Sequence, residues 1–323
     1  MKIGILGCGR IAELLAGTFN AMPELDCHAV ASRSLKKAEE FARNNGFKKG
    51  YGSYEELVSD PEVELIYVAT PHSRHFEDMK LCIEHKKPVV CEKSFTLNAG
   101  EAEEIIRLSE ENGVYVAEAI WTRYMPSRKL IDDMIASGII GEAKMLTANL
   151  SYKIDDKERI LDPKLAGGAL LDVGVYGINF AFMHFGNDYR SIDSSVIMTD
   201  TGVDGSESIT IHYNDGRMAV LTHGVYARSD RKGIIYGEKG YIIVENINNP
   251  QLICAYDDED NLIKKVDVPA QISGYEYEFL EAIKRIGEGA CESLSMPHSQ
   301  TLFVMRAMDE IRSSWGLKYP KEA

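Results

Sequence analysis

Hydrophobic positions in the first 120 residues alternate between two spacings. Short apolar runs, typical of strands covered on both faces, are separated by stretches in which apolar side chains recur every three or four residues, as on one face of a helix. The runs are Ile3–Leu6, Cys27–Ala31, Glu64–Thr70, Val89–Glu92 and Val114–Ala119. Strand and helix in alternation predict an α/β domain built on a doubly wound parallel sheet.

The remainder of the chain follows a different pattern. After Pro126 we expect a helix, a long strand, an apolar helix behind a Gly167-Gly168 turn, a series of strands, and two closing helices. The predicted bounds are Arg128–Ala136 and Lys144–Lys153 for the first two, Ile192–Val268 for the series of strands, and Tyr277–Ile286 and His298–Ser314 for the last helices. This pattern predicts an α+β domain with a large, mostly antiparallel sheet. We place the domains at residues 1–122 and 123–323.

Composition and charge narrow the class of protein. Hydrophobic residues make up 45% and charged residues 27% of the chain, which is typical of a folded globular protein. With 50 acidic against 36 basic residues the net charge is -14, which argues against a nucleic-acid or membrane partner. The six cysteines form no C-x-x-C pair, and no secretory signal precedes the first strand, so we expect a cytoplasmic protein.

The first strand leads directly into a glycine motif. Gly7, Gly9 and Ala12 form G-x-G-x-x-A, and Arg10 and Ile11 lie between the second glycine and the alanine. In this pattern the first glycine allows a tight turn, the second lets a pyrophosphate approach the backbone, and the small third residue lets the helix pack on the strand. Position after a strand and before a helix favours a dinucleotide site over a purely structural turn.

The end of the second strand indicates which dinucleotide is bound. NAD sites usually carry an acidic residue there for the ribose 2′-hydroxyl, whereas this chain has Ser32 and Arg33. A serine hydroxyl and a guanidinium suit a 2′-phosphate, so NADP is favoured and NAD stays possible. The alternative interpretation is a solvated arginine after a strand.

Three ionisable residues are candidates for the reacting centre. Lys93 follows Val89–Glu92, at the strand edge where ligands bind to parallel sheets. Asp172 and Tyr176 are four residues apart in an apolar segment, so on a helix they would share one face. The alternative is a buried tyrosine beside a capping aspartate.

At this point the chain resembles the family of glucose–fructose oxidoreductase, inositol dehydrogenase and the rhizopine catabolism proteins, most closely its dimeric dihydrodiol dehydrogenase and D-xylose dehydrogenase branch. The resemblance rests on the glycine motif and on several further runs. These are Ala31–Arg33, Tyr51–Leu57, Cys91–Lys93, Glu118–Arg123 and Gly167–Asp172. It implies hydride transfer between a nicotinamide cofactor and a CH–OH group of a sugar, polyol or trans-dihydrodiol.

The resemblance also implies roles for residues. Lys93 would lie between the nicotinamide ribose and the substrate hydroxyl, and Tyr176 would be the acid/base, with the nearby ammonium lowering the tyrosine pKa from its usual value of about 10. Asp172 would orient Lys93 or the substrate. The implied cofactor-side residues are Tyr67, Thr70, His75, Glu92, Trp121 and Arg123.

One departure from the family pattern concerns Ser94, which follows Lys93 where the family usually has proline. If that proline fixes a cis bond, the serine must adopt one too, or the loop is trans.

Three further expectations concern a rival function, metal binding and the oligomeric state. A sensor of the same fold would bind dinucleotide and sugar without turnover. His72 and His75 are three residues apart, but no further ligand follows at metal spacing, so we expect no metal. A broad antiparallel sheet covered by helices on one side leaves a face that favours a homodimer.

Overall fold

The chain divides into two compact units in a computed structural model that describes residues 1–322. The first unit comprises Met1–Tyr124 and Gln271–Met305, and the second comprises Met125–Ala270 and residues 306–322. Residues 271–305, which the sequence division places with the second domain, therefore belong to the compact unit of the N-terminal residues. The physical reason is hydrophobic: Phe279 is fully buried in the same core cluster as Phe19 and Tyr67.

The first unit is built on a six-stranded parallel sheet. Its strands are β1 (Lys2–Leu6), β2 (Asp26–Ala31), β3 (Lys49–Tyr51), β4 (Leu65–Val68), β5 (Val89–Glu92) and β6 (Val116–Ala119). Its early helices are α1 (Arg10–Ala21), α2 (Leu35–Asn45), α3 (Tyr54–Val58), α4 (His72–Glu84) and α5 (Ala99–Asn112). The strand order β3-β2-β1-β4-β5-β6 is that of a doubly wound dinucleotide-binding fold. Strand β3 and helix α3 were not predicted, because Lys49-Gly50-Tyr51 carries no apolar run.

Helix ends in this unit follow local sequence rules. The Asn98 side chain accepts a hydrogen bond from Glu101 N at 2.9 Å, and the Glu101 carboxylate accepts one from Leu97 N at 3.1 Å, which together form a reciprocal cap. Gly46 and Gly113 end α2 and α5 with φ of 76° and 61°, a left-handed conformation that favours glycine.

The second unit contains an eight-stranded sheet. Its strands are β7 (Ala143–Ser151), β8 (Tyr189–Met198), β9 (Asp204–Tyr213), β10 (Met218–Gly224), β11 (Gly233–Gly237), β12 (Gly240–Val244), β13 (Leu252–Asp257) and β14 (Leu262–Asp267). The order is β14-β13-β12-β11-β7-β10-β9-β8, and every neighbouring pair is antiparallel except β7 with β10. The predicted fold class, a parallel doubly wound domain plus an α+β domain, is confirmed.

Helices complete the chain. They are α6 (Pro126–Ala136), α7 (Glu158–Leu161), α8 (Val175–Phe185), α9 (Glu276–Gly287) and α10 (His298–Trp315). The helix expected after Gly168 begins with a π-helical turn, Leu170–Gly174, before it becomes the α-helix α8.

The apolar run Pro163–Phe185 is long and apolar enough to cross a membrane by length and composition. In the folded chain 94% of its most apolar window is buried within the protein. The run therefore serves as core, and it is the one such helix among residues 1–322.

Candidate active site

The glycine loop after β1 has the geometry that a pyrophosphate needs. Gly7 has φ of 108°, its N–H donates to Ala31 O at 3.0 Å, and a Cβ there would lie 2.8 Å from Ala69 O. No atom lies within 4 Å of the position that a Cβ on Gly9 would take, so the space above this residue is open. Ala12 is fully buried under the sheet, which explains the small third residue of the motif. These residues fit a dinucleotide phosphate.

The first turn of α1 points toward the same space. Gly9 is the residue that precedes the helix, and its carbonyl accepts the first helical hydrogen bond from Glu13 N at 3.1 Å. Arg10 is exposed and Ile11 is half-buried, so the start of the helix is accessible. A helix N-terminus of this kind favours an anion through its N–H groups and its dipole.

The end of β2 carries positive charge and no carboxylate. Ser32 is buried and its N–H donates to Tyr51 O at 3.1 Å, while Arg33 is exposed. Burial raises the pKa of Cys8 in the glycine loop, and the ammonium of Lys37 opposes that rise, so Lys37 lies near the loop. Lys37 was not predicted from the sequence. Its signal was a lysine in the first turn of the helix that follows Ser32-Arg33.

Tyr67 does not present a surface to a cofactor. Its side chain is fully buried, and its ring packs edge-on against Phe19 and Phe279 with centroids 5.9 and 5.6 Å away. Its hydroxyl donates a hydrogen bond to Glu92 Oε1. Burial, followed by the charge of Glu92, raises the pKa of Tyr67 far above its usual value. Any influence of Tyr67 on a ligand therefore acts through Glu92, itself 7% exposed at the end of β5.

The loop that carries Lys93 is held by two histidines. His72 Nε2 lies 3.1 Å from Lys93 O, and His75 Nδ1 lies 2.8 Å from Ser94 O. The other ring nitrogen of His75 lies 2.9 Å from Thr70 O, and burial lowers the pKa of this histidine. The peptide bond between Lys93 and Ser94 is cis, and Lys93 is half-buried. The histidines thus join the loops after β4 and β5 through backbone carbonyls.

Thr70 has a structural partner as well. Its hydroxyl donates to Asp78 Oδ2 at 2.8 Å, and Arg74 Nη2 donates to the other oxygen of that carboxylate at 2.8 Å. These contacts fix the start of α4 against the loop after β4.

Trp121 and Arg123 lie on a 3-10 turn directly after β6. The Trp121 indole stacks on Tyr275, with ring centroids 3.9 Å apart and planes 6° from parallel. Arg123 is 4% exposed, and its charge opposes the effect of burial, which raises the pKa of Glu118 to about 7. Trp121 and Arg123 therefore both have neighbours within the first unit.

In the second unit, Asp172 and Tyr176 lie at the junction of the π-turn and α8. Asp172 is 6% exposed and Tyr176 is 8% exposed. Arg159 forms a bidentate ion pair with Asp172, in which Nη1 donates to Oδ1 at 2.8 Å and Nη2 donates to Oδ2 at 3.4 Å. Arg159 was missed, because no local pattern connects it to an aspartate thirteen positions along the chain.

A histidine–carboxylate group in the first unit could be read as a metal site, since ligand atoms of His28, Asp60 and Glu62 lie within 4.8 Å of one another. Asp60 Oδ2 already accepts from His28 Nε2 at 3.0 Å, from Lys49 Nζ at 3.0 Å and from Tyr51 OH at 2.8 Å. The lysine supplies the positive charge there, so the geometry favours an ion-pair network.

Comparison with known proteins decides the family. Residues 1–119 match the family described as "Oxidoreductase family, NAD-binding Rossmann fold", and residues 129–243 match the "GFO/IDH/MocA C-terminal domain". The trans-1,2-dihydrobenzene-1,2-diol dehydrogenase of Xenopus tropicalis is 32% identical over 331 residues, covering 99% of each chain. The chain belongs to the GFO/IDH/MocA oxidoreductase family. The resemblance inferred from the sequence is confirmed, and so is the oxidoreductase class with a nicotinamide dinucleotide as cofactor.

Other relatives and solved structures agree with this family. The human trans-1,2-dihydrobenzene-1,2-diol dehydrogenase is 28% identical, covering 100% of this chain and 99% of the relative. Among solved structures, the 3-ketoreductase KijD10 of Actinomadura kijaniata, in complex with NADP and TDP-benzene, has a TM-score of 0.89 at 23% identity, covering 97% of each chain. The aldose-aldose oxidoreductase of Caulobacter crescentus has a TM-score of 0.88 at 18% identity, covering 98% of each chain. These structures share the fold of this chain.

Proposed function

We propose that this GFO/IDH/MocA oxidoreductase is an NADP-dependent dehydrogenase or reductase that acts on a CH–OH group of a trans-dihydrodiol, sugar or polyol. The observation that carries the proposal is that neighbouring side chains fix the ionisable residues. Arg159 donates a hydrogen bond to the Asp172 carboxylate, and His72 Nε2 contacts the carbonyl oxygen of Lys93. A sensor of the same fold has no need for ionisable groups fixed in this way. The substrate class is supported by relatives named trans-1,2-dihydrobenzene-1,2-diol dehydrogenase, which this chain matches along 99% of their length.

Preference for NADP rests on the end of β2. Ser32 and Arg33 occupy the positions where an NAD site has a carboxylate, and Lys37 adds a second cation near the glycine loop. A 2′-phosphate would pair with these cations, whereas the 2′-hydroxyl of NAD would leave them without an anionic partner. NAD remains a weaker cofactor under this proposal.

The proposed chemistry divides the work among three residues. A bound nicotinamide would supply the hydride acceptor for oxidation of the carbinol carbon and the hydride donor for reduction of the carbonyl. Tyr176 takes the hydroxyl proton in oxidation and gives it back in reduction. Lys93 donates a hydrogen bond to the same oxygen and stabilises its negative charge. Asp172, held by Arg159, orients the lysine or the substrate.

We also propose a homodimer formed through the sheet of the second unit, which would make that unit the substrate-binding and dimerisation part of the chain. One face of the sheet carries half-buried apolar side chains in neighbouring registers. They are Met145, Met218, Val220, Ile234, Tyr236, Tyr241, Ile243 and Tyr256. A contiguous apolar face of this kind is typical of an interface.

The dimer is tested by light scattering at micromolar concentration. The wild-type protein should have the mass of a dimer, and Tyr241→Glu should have the mass of a monomer. A monomeric wild-type protein would contradict the proposed dimer.

The absence of disulfides among the six cysteines fits a reducing compartment. The six cysteines are free, and burial raises the pKa of Cys82 and Cys91. Disulfide-free buried thiols are what the cytoplasm permits, so we propose a cytoplasmic enzyme.

The test of the function is the appearance of reduced nicotinamide with NADP and with NAD, against trans-dihydrodiols, D-xylose and other aldoses, and inositols. Turnover with NADP at a rate well above that with NAD is the expected result. Tight NADP binding without turnover on any of these substrates would favour the sensor and contradict the proposal.

A further inference from the structure

Three glycines surround the segment that carries Asp172 and Tyr176, and each lies against one polar side chain of the sheet. A Cβ added at any of them would overlap an oxygen or nitrogen atom of its partner, well inside van der Waals contact. The pairs are Gly168 with Asp204 Oδ1, Gly174 with Glu207 Oε1, and Gly177 with His223 Nε2. The segment therefore rests directly on these three side chains, which come from β9 and β10.

The three side chains form a connected cluster beneath the segment. Asp204 Oδ2 accepts a hydrogen bond from Leu170 N at 2.5 Å, so a carboxylate binds the first residue of the π-turn. His223 Nδ1 lies 2.9 Å from Glu207 Oε1. All three residues are buried, with Asp204 at 0%, Glu207 at 5% and His223 at 3% exposure.

Burial changes the charge that this cluster can carry. It raises the pKa of Asp204, with the charge of Glu207 adding to the rise, and it raises the pKa of Glu207. It lowers the pKa of His223 to about 3, so the imidazole is neutral. Three titratable groups in a dry core are costly, and apolar residues of similar size would fill the space more cheaply. Their presence therefore indicates a role other than filling volume.

We propose that Asp204, Glu207 and His223 are positioning residues that fix the π-turn and so place Asp172 and Tyr176 for proton transfer. This inference rests on the proposed function of those two residues. A π-helical turn is rare and needs support that an ordinary helix does not. The hydrogen bond to Leu170 N and the close approach at Gly174 and Gly177 hold both ends of the turn, which an apolar filler would not do.

A double-mutant cycle tests the pairing of Gly177 with His223. Gly177→Ala pushes a methyl group into the imidazole, so kcat should fall by about 30- to 100-fold while the NADP dissociation constant is unchanged. In the His223→Ala background the methyl group has room, and Gly177→Ala should cost nothing further. Gly17→Ala is the matched control, because no atom lies within 4 Å of the added Cβ in α1, and it should leave kcat unchanged. Losses that simply add would overturn the pairing.

Glu207 provides a second test that does not depend on a glycine variant folding. Glu207→Gln keeps the shape and a hydrogen bond to His223, so it should retain most of kcat, whereas Glu207→Leu should lose about 30-fold. The solvent deuterium isotope effect on kcat should rise only in Glu207→Leu, because a misplaced tyrosine slows the proton step. Equal kcat in the two variants would contradict the proposal.

Amide hydrogen exchange separates this inference from the proposed function. If wild-type protein turns over none of the substrates, the function fails, but exchange at residues 168–177 can still be measured. Faster exchange there in Glu207→Leu than in Glu207→Gln supports the positioning role. Equal exchange in the two variants would overturn it.

Discussion

Two glycine-rich segments, residues 7–12 (the first turn) and residues 168–177 (the second turn, which runs into α8), use glycine for opposite purposes. In the first unit, the missing side chain of Gly9 leaves space that no protein atom occupies within 4 Å. In the second unit, the missing side chains of Gly168, Gly174 and Gly177 leave space that the protein fills with its own polar atoms. One turn is open for a ligand, and the other is closed on a buried cluster.

The difference shows what a glycine motif can and cannot indicate. A phosphate-binding loop and close packing against a side chain both require the absence of Cβ, so the glycine alone does not distinguish the two uses. The two uses are distinguished by whether a protein atom already occupies the space beside the glycine. The first turn should therefore control cofactor affinity, and the second should control the chemistry of the residues that it carries.

The largest expected effect belongs to Tyr176, at the second turn. Tyr176→Phe removes the hydroxyl that we propose as acid/base, so kcat should fall by about 1,000-fold. The NADP dissociation constant should not change, since the cofactor residues lie in the first unit. Steady-state rates and a fluorescence titration measure the two quantities. Normal turnover by this variant would overturn the mechanism.

Gly9→Ala should show the reverse behaviour. The added methyl group meets no protein atom but fills the space proposed for the pyrophosphate, so NADP affinity should fall by about 100-fold or more. Thermal unfolding of the cofactor-free protein should be unchanged, because nothing in the chain is displaced. A large loss of stability would show that the loop is closed by the protein, as the second turn is.

Arg33→Ala tests the proposed 2′-phosphate site at the end of β2. Loss of a charge-assisted hydrogen bond to the 2′-phosphate should weaken NADP by about 50-fold and leave NAD affinity unchanged. Lys37→Ala is the companion variant and should produce a smaller change of the same sign. Equal weakening of NADP and NAD by Arg33→Ala would contradict the assignment of the 2′-phosphate site.

The smallest effect concerns a buried carboxyl of the first unit, the counterpart of the buried acids under the second turn. Burial raises the pKa of Glu118 to about 7, and its Oε1 accepts from Phe95 N at 3.1 Å. Between the unfolded pKa near 4.5 and pH 7 the native state holds a proton that the unfolded state has lost, so this group's contribution to stability falls as pH rises. Glu118→Gln removes that dependence, and from pH 5 to pH 8 the variant should gain about 2 kcal/mol relative to wild type. Denaturant titrations at the two pH values would measure it, and a constant difference would contradict the raised pKa.

Much of the first unit could be predicted because its signals are local. A glycine motif, the cap at Asn98 and the apolar strands depend on residues only a few positions apart. The short β3 and the π-turn could not be predicted, since tertiary contacts stabilise them. Leu170 N, for example, is bound by Asp204, thirty-four positions away. Such contacts leave no periodic pattern in the sequence.

The candidate site shows the same division. The space above Gly9 is open and Arg33 is exposed, whereas Ser32 is buried, and the cofactor roles of these residues stay predictions. Tyr67, by contrast, was expected at the cofactor surface and lies in the core beneath Glu92, because its ring packs with Phe279 from a helix more than two hundred residues later in the chain. Contact with so distant a helix cannot be deduced from the residues around Tyr67.

The most direct test of the contrast between the two turns is the NADP dissociation constant of Gly9→Ala and Gly177→Ala, measured side by side by fluorescence titration. We predict weaker binding in Gly9→Ala alone, with Gly177→Ala binding NADP as wild type does. Equal weakening in both variants, or weakening in Gly177→Ala alone, would contradict it.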